Sequence, residues 1–178
     1  ELDGHPVPGA LGNTKLDLEI EVAVRLLAEH LPSSEGRRKP ILMHNLRVGF
    51  YLYDRGYDRN VVLGGLLHDV LEFSGVTETL LESEFGSDVL EIVRANTQDD
   101  MIEDKPKKWQ DMVDRCVIAG REALIVKTAD ILDSLAFYRV VKNAPEIERS
   151  VQIGRYLLER LPQGTDDPIF ERLKDQME

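Results

Sequence analysis

Residues 61–73 read VVLGGLLHDVLEF, a nearly unbroken apolar run that also carries one imidazole and two carboxylates, those of His68, Asp69 and Glu72. A helix that is apolar on almost every face belongs at the centre of a protein. A carboxylate brought there without a partner costs several kcal/mol, so Asp69 needs a nearby cation or a strong set of hydrogen bonds. A metal ion meets that need directly. Gly56 lies ahead of the run and Ser74-Gly75 follows it, which predicts a helix from about Asp58 to Phe73.

Two other segments repeat the oddity. ILMHNLRVGFYL, residues 41–52, places His44 among apolar neighbours, and ALIVKTADILDSL, residues 123–135, carries Asp130 and Asp133. Each has an ordinary explanation: a single helical histidine is more often a core or surface residue than a ligand, and Asp130 can pair with Lys127 or Arg139. What unites them is that they fall on the most apolar helices of a chain that otherwise exposes its charges. The residues alone leave a metal centre and a set of buried structural ion pairs both open.

The remaining periodicity is helical throughout. A first helix is expected from Lys15 towards Leu31-Pro32 with Thr14 as its N-cap, and a second from about Pro40 to Asp54. Further helices are expected around LLESEF, DVLEIVRANT, PKKWQDMVDRC, REALIVKTADILDSLAFYRVV, EIERSVQIGRYLLERL and DPIFERLKDQM. No run of alternating strands and no internal repeat is evident, so the fold class is all-α. The first fourteen residues, with two prolines and three glycines, read as a flexible lead-in to one domain over residues 15–178. The polar stretch from Gln98 to Lys108 is the longest interior candidate for a mobile loop, with Trp109 anchoring its end.

At 178 residues, with 42% hydrophobic and 31% charged residues, the chain suits one soluble domain with room for a buried site. No apolar stretch approaches the ~20 residues that cross a bilayer, and a cytoplasmic home is the default expectation. Cys116 is the single cysteine, so neither an intramolecular disulfide nor a thiolate cluster can form within these residues, and a metal must be held by imidazole and carboxylate. The net charge of −11 argues against an extended nucleic-acid surface. A small phosphorylated ligand needs only a few local cations, and Arg37, Arg38 and Lys39 stand just ahead of His44; the plain alternative is a solvated loop.

His44, the adjacent pair His68-Asp69, and Asp130 reproduce the H…HD…D signature of the HD superfamily of metal-dependent phosphohydrolases. The stretch GYDRNVVLGGLLHDVLEFSGVTETLLESEFGSDVLEIV, followed by ALIVKTADILDSL, resembles the hydrolase domain of the RelA/SpoT family, which removes the 3′-pyrophosphate from guanosine tetra- and pentaphosphate using manganese. The resemblance extends over residues 37–141. It implies a single HD-type helical bundle in which His44, His68, Asp69 and Asp130 hold one divalent ion. An oxygen-rich ligand set favours Mn²⁺, with Fe²⁺, Zn²⁺, Ni²⁺ and Mg²⁺ as alternatives. Two-metal members use additional histidines, and only His5 and His30 are spare here, so one ion is expected.

Glu72, on the same helical face as His68, is the expected general base, and Arg37, Arg38 and Lys39 the expected substrate contacts. Two positions depart from the family pattern. The second of its paired acids is Phe73 here, and Ser134 stands where an asparagine approaches the ribose. Asp133 is a candidate to replace the missing acid. Two functions follow: a hydrolase of a nucleotide or small phosphoester, (p)ppGpp 3′-pyrophosphate being the most specific substrate, or a catalytically weakened domain that senses nucleotide and metal or holds partners together.

Overall fold

The computed structural model describes residues 13–177, so the lead-in expected over residues 1–14 lies, except for its last two residues, outside the described part. The first helix, α1 (Thr14–His30), is capped by Asn13 rather than by Thr14. The Asn13 side chain accepts the Leu16 amide at 3.2 Å, a service worth about 1 kcal/mol. α2 (Ile41–Asp54) follows as expected and carries His44.

The helix expected from Asp58 to Phe73 is two helices, α3 (Arg59–Leu67) and α4 (Val70–Phe73). The break falls at His68-Asp69 and has a local cause: the His68 ring bonds back to the Gly65 carbonyl at 2.8 Å. Helix resumes beyond it, the Phe73 amide bonding to the Asp69 carbonyl at 3.1 Å. On a continuous helix, neighbouring side chains diverge by about 100°. His68 and Asp69 keep right-handed helical backbone angles through the break, and both side chains still reach the same point, His68 Nε2 lying 3.4 Å from Asp69 Oδ1.

α5 (Glu78–Phe85), α6 (Ser87–Ala95), α7 (Lys105–Ala119), α8 (Arg121–Val140), α9 (Ala144–Glu159) and α10 (Pro168–Met177) complete the described residues, among which there is no strand. None of the described helices is long and apolar enough to cross a membrane. The stretch from Gln98 to Lys108 is shorter as a loop than expected. Asp104 caps α7 by accepting the Lys107 amide at 2.8 Å, and the Ile102 amide bonds to the Asp99 carbonyl at 3.2 Å. Trp109 anchors its end, buried with its ring edge-on to Tyr156 at 5.3 Å.

α3 is the centre of the bundle. It packs against α1, α2, α6 and α8, and every residue from Val61 to Leu67 is buried. Glycines set how closely these helices approach. A Cβ on Gly49 of α2 would lie 2.3 Å from the Leu66 side chain and 3.2 Å from its backbone nitrogen, and one on Gly65 would lie 2.5 Å from Leu52 Cδ1. Gly64 stands equally close to Ile92 of α6. These contacts fix the distance between the helix of His44 and that of His68.

Gly49→Ala tests this packing. Alanine gains about 1 kcal/mol of helix propensity, but overpacking a filled core costs about 1–3 kcal/mol. Leu66 is fully buried and has no room to withdraw. Thermal melting should show a net loss of stability, and a rise in melting temperature would refute the close-packing account.

Candidate metal centre

α2, the α3–α4 break and α8 each send one or two polar side chains to a common point. His44 and His68 are almost fully buried and meet edge to face, with ring centroids 5.0 Å apart and Nε2 atoms 3.2 Å apart. The far nitrogen of each ring has a fixed partner. Nδ1 of His44 lies 2.6 Å from Asp133 Oδ2, and Nδ1 of His68 lies 2.8 Å from the Gly65 carbonyl. Carboxylate and carbonyl only accept, so both Nδ1 atoms carry the hydrogen and, in the neutral rings, both Nε2 atoms present lone pairs.

Two acceptors at 3.2 Å cannot satisfy one another. The carboxylates add to the demand for positive charge. Asp130 Oδ1 stands 3.0 Å from His44 Nε2 and 3.9 Å from His68 Nε2, and Asp69 reaches the same two nitrogens at 3.8 and 3.4 Å. Ligand atoms of His44, His68 and Asp130 all lie within 4.8 Å of one another. Two imidazole nitrogens and two carboxylates converging on one point fit a borderline-to-hard divalent ion. The four residues named by the sequence signature are therefore brought together.

Protein cations stand close by. Lys39 Nζ is 2.9 Å from both His44 Nε2 and Ser134 Oγ, and 3.7 Å from Asp130 Oδ1. Lys127, a buried ammonium, pairs with Asp130 Oδ2 at 2.8 Å. Burial opposes ionisation of Asp130, but Lys127 and then Lys39 hold its carboxyl well below the usual carboxylate range. Burial lowers the His68 pKa. It works the same way on His44, as does Lys39, but hydrogen bonds to Asp130 and Asp133 leave that pKa raised.

Asp69 and Asp130 line a cavity of about 410 Å³ together with Arg37, Arg38, Lys39, Glu72, Phe73, Lys127 and Ser134, and the two histidines lie buried behind them. Glu72 is held through the Gln98 amide at 3.4 Å, and burial, then the neighbouring Asp69 charge, push its pKa up to about 7. Arg37 lies over the Phe73 ring at 5.4 Å. Arg38 is occupied with Glu146 of α9, and Ser134 touches Asp130 Oδ1 at 3.3 Å.

Asp133 is not where a second reacting acid would have to stand. Its carboxylate bonds His44 Nδ1 and also receives the Arg47 guanidinium fork at 2.7 and 2.9 Å, on the side of His44 away from the cavity. It aims the imidazole instead. Residues at the site that escaped sequence reasoning include Arg47, Lys127 as a cavity wall, and Glu146 and Arg149 of α9. The spacing of His44 and Arg47, one turn apart on α2, is the only signal that linked Arg47 to the site. Arg139, the other sequence partner for Asp130, bonds Gln176 on α10.

Comparison with known proteins agrees with this geometry. A family model described as an HD domain matches residues 21–153. A probable guanosine-3′,5′-bis(diphosphate) 3′-pyrophosphohydrolase of Mycoplasma pneumoniae is 29% identical over 109 residues, 55% of this chain and 15% of that one. A guanosine-3′,5′-bis(diphosphate) 3′-pyrophosphohydrolase of Drosophila melanogaster is 33% identical over 88 residues, 49% of this chain and 48% of that one. The match thus spans less than half the length of either relative. A solved structure of a metazoan ortholog of SpoT superposes with a TM-score of 0.71 at 21% identity, covering 97% of this chain and 96% of that one, a likeness of fold.

If Asp133 aims His44, Asp133→Asn should leave the four ligands in place and weaken divalent-metal affinity by about 10–100-fold, the usual cost of losing such a partner. Chelator competition measures this, and His68→Ala, which removes a ligand, sets the scale by abolishing tight binding. Equal affinity in Asp133→Asn and wild type would refute the aiming role.

Proposed function

Because the chain belongs to the HD-domain family, we propose that it is a divalent-metal phosphohydrolase acting on a phosphorylated nucleotide, with the 3′-pyrophosphate of guanosine tetraphosphate as the leading candidate substrate. The observation that carries this reading is the pair of imidazole Nε2 atoms 3.2 Å apart beside the carboxylates of Asp69 and Asp130, which open onto a cavity that Arg37, Arg38, Lys39 and Lys127 also line. Similarity to relatives named as guanosine-3′,5′-bis(diphosphate) 3′-pyrophosphohydrolases supports the nucleotide.

His44, His68, Asp69 and Asp130 would hold the ion, Mn²⁺ being the best match to the oxygen-rich set. A divalent ion there polarises a phosphoryl oxygen and makes water more acidic. The chain's own residues do the rest. Glu72, whose pKa is raised by burial and by the Asp69 charge, is a basic carboxylate that can take a proton from attacking water. Lys39 and Lys127 line the same cavity as Glu72 and offer ammonium groups to phosphoryl oxygens. Arg37 and Phe73 together present a flat apolar and cationic surface suited to the ring system of a base.

A second reading, a nucleotide and metal sensor, is favoured by one observation: Phe73 takes the place of the second family acid, and it lines the cavity beside Glu72. Assaying a panel of phosphorylated nucleotides with Mn²⁺ separates the two, since a sensor binds without releasing product.

Glu72→Gln should retain the metal and lower turnover by roughly 10²–10⁴-fold. A base works only when deprotonated, so the wild-type rate should fall as pH drops through the Glu72 pKa. The ion's charge draws that pKa below the value near 7. The variant should lose that acidic limb, and a variant as active as wild type would remove Glu72 from the mechanism.

Phe73→Asp restores the paired acids and should create or increase guanosine tetraphosphate hydrolysis. Melting temperature shows whether the variant is folded. A stable variant and a wild type that both turn over no phosphoester would favour the sensor.

A further inference from the structure

The C-terminal end of α6 brings to the cavity a polar group that the proposed hydrolysis leaves without a task. Asn96, the residue that closes α6, is buried and lines the cavity with Glu72, Phe73 and Lys127. The orientation of its side-chain amide is fixed, because Nδ2 donates to the Ile92 carbonyl at 2.9 Å and to the Ala123 carbonyl at 3.4 Å. Carbonyls only accept, so the amide cannot be turned over, and Oδ1 is the atom that receives no hydrogen bond from the described residues. One other buried side-chain atom among them shares that condition, Oδ1 of Asn45, and Asn45 is not part of the cavity wall. A buried acceptor left unpaired costs stability, and ordered water is the usual partner of such an atom.

The neighbours of Asn96 complete a set of partners for one water. Glu72 Oε2 accepts the amide of Gln98, two residues beyond Asn96, which leaves Oε1 for another donor. Lys127 donates to Asp130 Oδ2 and to Met112 Sδ, and its third ammonium hydrogen is left over. Phe73, which follows Glu72 in α4 and also lines the cavity, offers no acceptor.

Resting on the phosphohydrolase reading, we propose that Asn96 Oδ1 orients the attacking water, as the second acceptor beside Glu72. A water that gives one hydrogen to Glu72 Oε1 and the other to Asn96 Oδ1 keeps a lone pair for phosphorus, whereas one held by Glu72 alone is free to turn about that single bond. In the step itself the water oxygen forms the new phosphorus–oxygen bond as the ester bond to phosphorus breaks. One proton passes to Glu72, the other stays on the new phosphate oxygen, and the leaving oxygen takes a proton from solvent. Glu72 then returns its proton to solvent. The amide is neutral and only accepts, so Asn96 holds the water without competing with Glu72 for the proton.

Asn96→Val, assayed as the full chain with Mn²⁺ on guanosine tetraphosphate and on 4-nitrophenyl phosphate, tests this. Its kcat should fall by roughly tenfold to a hundredfold, the equivalent of one hydrogen bond held in the transition state, with KM and metal content unchanged. A wild-type kcat in this variant overturns the proposal and keeps the hydrolase. A raised KM with kcat kept does the same, since Oδ1 then meets the ligand rather than the water. Turnover of neither probe by wild type would overturn the hydrolase reading and this one together. Valine also loses the bonds to Ile92 and Ala123, so melting temperature is measured alongside. Where the variant is unstable, a crystal structure of the wild type decides: a water within hydrogen-bond reach of both Asn96 Oδ1 and Glu72 supports the role, and its absence, or a protein donor at Oδ1, overturns it.

Discussion

Two imidazole Nε2 atoms stand 3.2 Å apart in the interior, and when both rings are neutral, with Nδ1 protonated, they present lone pairs that cannot satisfy each other. Much of the surrounding structure serves to hold that contact. The Asp133 carboxylate and the Gly65 carbonyl fix the two rings from behind, and Arg47 in turn holds Asp133. Such outer partners set the tautomer and the direction of a ligand, which a metal site needs as much as it needs the ligands. Asp69 and Asp130 add to the demand for positive charge at that point, and the Lys39 ammonium answers part of it.

Holding the contact requires a stiff frame. α3 is buried from Val61 to Leu67, and glycines at 49, 64 and 65 bring α2 and α6 close against it. An interior packed this tightly tolerates little displacement, so the positions of His44 and His68 follow from the packing of their helices. At the turn between α3 and α4 the adjacent residues His68 and Asp69 both reach the site.

Charge is distributed against the average of the molecule. A chain of net charge −11 gathers Arg37, Arg38, Lys39, Lys127 and Arg149 around one cavity. Local cations beside a low-dielectric wall act over short range, where salt screens them less than it screens exposed charges. A chain of negative net charge can therefore still receive a small anion at this point.

The helical class and the convergence of His44, His68, Asp69 and Asp130 were legible in the sequence, because polar groups set into apolar helices must find partners inside the fold, and because the H…HD…D pattern names them. Glu72 was legible for the same reason, lying one turn from His68. The break at His68-Asp69 was not legible, since the apolar periodicity runs through it and the hydrogen bond that stops the helix depends on where one ring points. Nor was the role of Asp133. A carboxylate one turn from Asp130 can face the cavity or the back of His44, and only the packing of α2 against α8, with Arg47 between them, turned it to the back. Glu146 and Arg149 look like solvated charges on an amphipathic helix, and what placed them at the cavity was the docking of α9 against α8, a contact between helices that periodicity along one chain cannot specify.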